Sequence, residues 1–270
     1  MLIRKITFLI LLFMVSHVSF ATEKTDTTRV KDHLKAITKT EKPRNYRNVE
    51  QLNNIANYIH KVFSQYSNRV SFQEFEVKNK TYKNVICSFG PENKERIIIG
   101  AHYDVSGNQE GADDNASGVV GLLELSRLFK GKTLKYRIDL VAYSLEEPPF
   151  FRTEYMGSYI HAKSINSKDI DVLGMIAIEM IGYFKEERKT QKYPLGILSL
   201  FYGNRGDYIT LVKKFGSGKF PRKFSRRYKS TKAIRTKKFK GPKSLQGIDF
   251  SDHLNYWKFG FNALMITGSS

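Results

Sequence analysis

Asp113 and Asp114 stand side by side in GADDNASG, residues 111–118, a turn of small residues between two apolar segments. Adjacent carboxylates repel, and a cation relieves that repulsion. Further acids recur at comparable places. His102 and Asp104 close the apolar run RIIIGAHY, Glu146 and Glu147 follow YRIDLVAYS, and Glu179 lies toward the end of LGMIAIEMIG. One imidazole with several carboxylates is the nitrogen-and-oxygen donor set of a zinc site. The plain alternative makes each acid a solvated surface charge, yet these acids follow apolar runs, where an unpaired charge is destabilising.

For such residues to meet, the elements that carry them must end at one place. The segment 48–66 puts Val49, Leu52, Ile55, Ile59, Val62, Phe63 and Tyr66 on one helical stripe, which predicts a core-facing helix. SFQEFEV (71–77) alternates as a strand does, and YKNVICSF (82–89) is its hairpin partner. Residues 96–103, 136–144, 173–182 and 196–203 have the apolar runs of strands buried on both faces, and GVVGLLELSRLF (118–129) is a helix. Apolar strands alternating with helices imply an α/β domain: a largely parallel, mixed central sheet covered by helices on both faces. Ligands of such sheets bind beyond the carboxyl ends of the strands, where the acids and His102 would gather.

The motifs GAHYD, GADDNASG, LEEPPFFRTEYMGS, IEMIGYF and SDHLNYW follow one another in the chain. On them, over about residues 48–270, the sequence resembles the co-catalytic zinc aminopeptidases related to aminopeptidase Y, a clan that includes glutamate carboxypeptidase and the glutaminyl cyclases. The resemblance implies a role for each residue. His102 and Glu179 would bind a first zinc, Asp104 would orient the His102 ring, and Asp114, followed by a cis peptide bond, would bridge to a second zinc bound by Glu147. Glu146 would be the general base toward a metal-activated water. Asp252 and His253 match a motif lining the substrate pocket; His253 is tempting as a ligand, but its motif position assigns it to the pocket or to packing. The family's last ligand, a histidine, follows the strand that NALMITG (262–268) represents, and no histidine follows His253 in this sequence. The expectation is therefore a C-terminally truncated chain with one complete zinc site and an incomplete second. The implied activity is hydrolysis of N-terminal peptide bonds; the alternatives are a single-zinc glutaminyl cyclase and a non-catalytic basic binding protein with a relic site.

Composition bounds these readings. With 270 residues, 41% of them hydrophobic, the chain suits one globular domain, taken as residues 48–270. Residues 1–21 carry Arg4 and Lys5, an apolar run from Phe8 to Val15 and small residues before Thr22, which reads as a cleaved signal peptide and a secreted or periplasmic location. The run is short for a bilayer span. Residues 22–47 are expected to be an N-terminal linker or arm. A single cysteine, Cys87, cannot build a disulfide frame and fits core packing. The formal net charge is +19, and no acid occurs between Asp207 and Asp249. Lysines, arginines and aromatic residues interleave over residues 213–243, as on nucleic-acid-binding surfaces. For an exported protein, a solvated basic surface, or contact with an anionic envelope polymer or lipid, is the preferred reading over nucleic acid.

Overall fold

The computed structural model describes residues 25–92, 95–191 and 203–268. Residues 1–21, and the strand expected at 196–203 apart from Gly203, lie outside them. The elements in chain order are α1 (Thr27–Thr38), α2 (Val49–Ser64), β1 (Val70–Val77), β2 (Lys80–Phe89), β3 (Arg96–His102), a π-helical turn (Ala112–Ser117), α3 (Gly118–Phe129), β4 (Arg137–Tyr143), α4 (Gly157–Asn166), β5 (Val172–Glu179), β6 (Ile209–Lys214), α5 (Lys219–Ser230), β7 (Thr236–Gly241), α6 (His253–Lys258) and β8 (Ala263–Thr267).

The eight strands form one mixed sheet in the order β1-β2-β4-β3-β5-β8-β6-β7. Its centre, β4-β3-β5-β8, is parallel. The β1-β2 hairpin joins β4 antiparallel, and β6 runs antiparallel to β8 with β7 parallel to it. Side-chain alternation along the central strands sends neighbours to opposite faces and so makes two cores. Ile99, Ala101, Ile176 and Ile178 face α1, α2, α3 and the aromatic side of α5. Ile98, Val141, Met175 and Ala177 face α4 and α6. Cys87 is fully buried in the first of these, and burial pushes its thiol up to about 12, as suits a packing residue.

Residues 27–47, expected as a linker or arm, fold onto the domain. Asp26 caps α1 by accepting from the Thr28 amide at 2.9 Å, and Arg29 on α1 reaches Glu124 on α3 at 3.2 Å. Arg44 ends 1% exposed, among the largest fully buried side chains.

Candidate metal centre

His102 is the last residue of β3 and Glu179 the last of β5, and both strands lie in the parallel centre of the sheet with β4, which ends at Tyr143. Parallel pairing therefore brings these ends to one edge of the sheet. Just beyond the ends the backbone turns sharply: Leu145 has φ 61° and Met180 φ 47°. A left-handed conformation in a side-chain-bearing residue costs about 1–2 kcal/mol, and here it swings Glu146 and Glu147 back over the strand ends. The π-helical turn brings Asp114 in from the side. Its Asp114–Asn115 peptide bond is cis, as the resemblance implies. Gly118 then lets α3 start against the sheet, since a Cβ there would lie 2.4 Å from Asn115 Oδ1 and 2.8 Å from the Ile178 carbonyl.

His102 Nε2 lies 3.3 Å from Asp114 Oδ1, 3.5 Å from Glu179 Oε2 and 3.8 Å from Glu146 Oε2. Ligand atoms of His102, Asp114 and Glu147 all fall within 4.8 Å of one another. On the other side of the ring, Asp104 Oδ1 is 3.5 Å from Nδ1. Asp104 has further partners: its two oxygens accept the backbone amides of Glu146 and Glu147, each at 3.1 Å. One carboxylate thus fixes the turn that carries the glutamate pair as well as facing the imidazole.

Asp113 behaves differently from its neighbour. Its Oδ1 accepts the Gly182 amide at 2.7 Å. The adjacent acids thus part company, Asp114 toward His102 and Asp113 toward backbone, so their crowding is relieved in part by an N–H donor. Asn115 staples the turn to β5, donating to the Ile178 carbonyl at 2.8 Å and accepting from the Gly118 and Met180 amides. Ser251 donates to Glu179 Oε2 at 2.7 Å. The remaining expected site residues separate. Asp252 is fully buried beneath the cluster, and neither of its side-chain oxygens has a hydrogen-bond partner. His253 does not join the cluster. Its Nε2 contacts the Ile248 carbonyl at 2.7 Å and its ring meets Trp257 edge-on at 4.5 Å, so between pocket and packing its contacts are those of packing.

The electrostatics are those of too many anions around one imidazole. Burial pulls the His102 proton affinity down, but Glu146 and Glu179, with Asp104 and Asp114, carry it well above its usual range. Burial is the main cause that raises Glu146 well above the ordinary carboxylate range, with repulsion from Glu179 and Asp252 adding to it. Burial likewise lifts Glu147 and Asp252 each to about 7, and raises Glu179. Burial also pushes Asp114 upward, but attraction to His102 and Arg44 carries it below its usual value. A divalent cation reverses this balance. The residues fit one: a nitrogen and two carboxylate oxygens converge, the His102 Nδ1 is a buried orphan facing Asp104, and the charge left over is negative.

Arg44 is the part of this centre that sequence patterning misses. It donates from Nε to the Tyr103 carbonyl at 2.8 Å, from Nη2 to Gly111 at 2.6 Å and from Nη1 to Glu110. Burial lowers its proton affinity to about 10, opposed by Asp104, Asp114 and Glu147. Its acceptors are backbone carbonyls 59 to 67 residues away, a relation that leaves no periodicity and no motif.

Peptidase family M28 matches this chain over residues 84–269, well over half its length. Over 242 residues the chain is 41% identical to a protein of Escherichia coli K12 described as uncharacterized protein YfbL, covering 87% of this chain and 74% of that one. It is 25% identical over 107 residues to aminopeptidase YwaD of Bacillus subtilis, covering 38% of this chain and 23% of YwaD. Among solved structures, the LapA aminopeptidase of Legionella pneumophila superposes with a TM-score of 0.67 at 18% identity, over 90% of this chain and 61% of LapA. A glutaminyl cyclase of Bacteroides thetaiotaomicron bound to N-acetylhistamine gives 0.63 at 19% identity, over 91% and 85%. At these identities the structures establish a shared fold, and the chain spans about three fifths of LapA. The acid-lined end of its mixed sheet and the family match agree: the chain belongs to peptidase family M28, and an aminopeptidase and a glutaminyl cyclase share its α/β fold.

Proposed function

We propose that the protein is an exported zinc-dependent aminopeptidase that removes the N-terminal residue of peptides. The observation that carries this reading is the ring of Asp114, Glu179 and Glu146 oxygens within 3.8 Å of His102 Nε2. His102, Asp114 and Glu179 would hold one zinc, and Glu147 with Asp114 would lie toward a second. Zinc bound there supplies a Lewis acid that polarises the peptide carbonyl and acidifies water. Glu146, buried beside the donors, takes the proton of the attacking water and returns it to the leaving amine. Asp104 holds the His102 ring and, through two amides, the position of Glu146. The Asp114 side chain is 38% exposed, so the donor cluster is open to an entering peptide from solvent. Asp252, close enough to repel Glu146 and itself repelled by Glu179, raises the hold of the floor of the site on a proton. Export rests on the composition of residues 1–21.

A glutaminyl cyclase is the second reading, since a cyclase shares the fold over 91% of this chain and 85% of its own, as a leucine aminopeptidase precursor does over 90% and 85%. Zinc analysis of the purified protein beside leucyl-nitroanilide hydrolysis separates the two. The aminopeptidase reading expects release of nitroaniline that is lost on chelation and restored by zinc. Cyclisation of a glutaminyl peptide with no nitroaniline release would sink it.

A further inference from the structure

The strand reversal at β6 gives the sheet a second chemical end. Because β6 is antiparallel to β8, which is itself parallel to β5, β6 and β7 finish at the end of the sheet opposite His102 and Glu179. There the chain turns through Phe215-Gly216-Ser217-Gly218, with φ 69° and 84° at the two glycines, before entering α5. Phe215 is 57% exposed, the highest figure among the exposed large hydrophobic residues described. Leu245, 40% exposed, lies at the same end but over the other face of the sheet: the Phe215 amide donates to the Gly241 carbonyl at 2.8 Å, and a Cβ on Gly241, on the face of Lys214 and Trp257, would sit 2.7 Å from Leu245 Cδ2.

Cations stand on both faces at this end. Lys240 Nζ lies 5.2 Å from the Phe215 ring centre and Lys214 Nζ 5.2 Å from that of Trp257. Lys243 is close enough to Lys214 and Lys258 to depress the proton affinity of both, after burial. Between Asp207 and Asp249 the sequence supplies no acid, and the exposed Asp169 and Asp171 at this end precede β5, two strands away from β6. The outer face of α5 continues the charge from Arg222 to Lys229, while its Phe220, Phe224 and Tyr228 pack inward. That helix therefore contributes charge without a free apolar face. A soluble polyanion would engage the lysines alone and leave Phe215 and Leu245 in water. Two apolar tips at one end of the sheet, with lysines beside them on both faces, fit a surface that is anionic outside and apolar just beneath.

We propose that this end of the sheet docks on an anionic phospholipid surface, with Phe215 and Leu245 entering the boundary between headgroups and acyl chains and Lys214, Lys240 and Lys243 meeting phosphates. The acid-lined end then faces away from the lipid, open to soluble peptides. Co-sedimentation of the full chain with phosphatidylcholine vesicles, with and without phosphatidylglycerol, at low and high salt, tests this. Binding should require phosphatidylglycerol and weaken with salt. Lys240→Gln and Lys243→Gln should each lose about fivefold in partitioning. The double change Phe215→Ser, Leu245→Ser should lose about tenfold at unchanged charge, with thermal unfolding like that of the parent. Phe215→Trp should bind as the parent does and show blue-shifted emission on the anionic vesicles. Equal binding to phosphatidylcholine alone, unshifted emission from the Phe215→Trp variant, or vesicle binding untouched by the double serine change while inorganic polyphosphate binds as tightly would each overturn the proposal, the last in favour of a soluble polyanion.

Discussion

The two ends of the sheet meet the same electrostatic problem and solve it in opposite ways. At the acid-lined end, Glu146 and Glu179 are raised first by burial and then by neighbouring acids. At the lysine-rich end, Lys213 is lowered first by burial and then by Lys238, Lys240 and Arg222. The difference lies in what surrounds the charges. The centre is mostly buried, with His102 1% and Asp104 2% exposed and the side of Asp114, 38% exposed, open to solvent, and the Asp104 and Glu179 carboxylates accept hydrogen bonds. Most of the lysines and arginines stand in water, where screening over ~8 Å keeps repulsion small. A buried excess of charge needs a ligand that enters, whereas an exposed excess takes only a partner that arrives at its surface.

The largest test of this contrast is Glu146→Gln. It keeps shape and removes the proton acceptor, so turnover should fall about 10² to 10⁴ while zinc content stays that of the parent. Loss of zinc in this variant would make Glu146 a ligand and the division of labour within the pair wrong. Arg44→Met comes next. It strips one buried and two part-buried backbone carbonyls of their donor and deprives the cluster of its neighbouring cation, so unfolding free energy should drop by about 1–3 kcal/mol. Arg44→Lys should restore part of it; an unfolding midpoint unchanged in Arg44→Met would mean the acid-lined end does not depend on the chain before α2.

Much of this end was legible in sequence and some was not. The central strands, and the meeting of His102, Glu146, Glu147 and Glu179, follow from apolar runs that stop at these residues, because a parallel sheet must deliver those stops to one edge; Asp114, in a turn, is chosen over Asp113 only by the resemblance. Arg44 leaves no such trace, since its partners are carbonyls and carbonyls carry no side-chain identity. Patterning by itself also hides the separate fates of Asp113 and Asp114, for a related reason. Which neighbour turns toward the imidazole is set by the π-helical turn, whose geometry two identical side chains cannot announce. At the other end, the basic run was plain in the sequence. The reversal of β6 that carries it away from the site depends on hydrogen-bond pairing across the sheet, which local composition does not encode.

A smaller effect is expected for Asp104→Ala. The imidazole loses its orienting carboxylate, and zinc affinity, followed by titration against a chelating dye, should weaken about 10- to 100-fold; an unaltered affinity would assign Asp104 to backbone support alone. The least effect belongs to Arg226→Gln with Arg227→Gln on the exposed face of α5. The unfolding midpoint should stay within about 2 °C of the parent and hydrolysis of a small neutral substrate should not change. A fall in that hydrolysis would show that the two ends are coupled.

Asp104 also limits how this centre can vary. Because its two oxygens each hold one amide of the Glu146–Glu147 pair, the proton carrier and the proposed metal donor share a single mechanical degree of freedom. A displacement of this carboxylate moves both at once and in fixed proportion. Substitutions that act through Asp104 should therefore trace one line in a plot of metal affinity against turnover. Substitutions at Ser251, whose hydroxyl is bonded to Glu179, should leave that line.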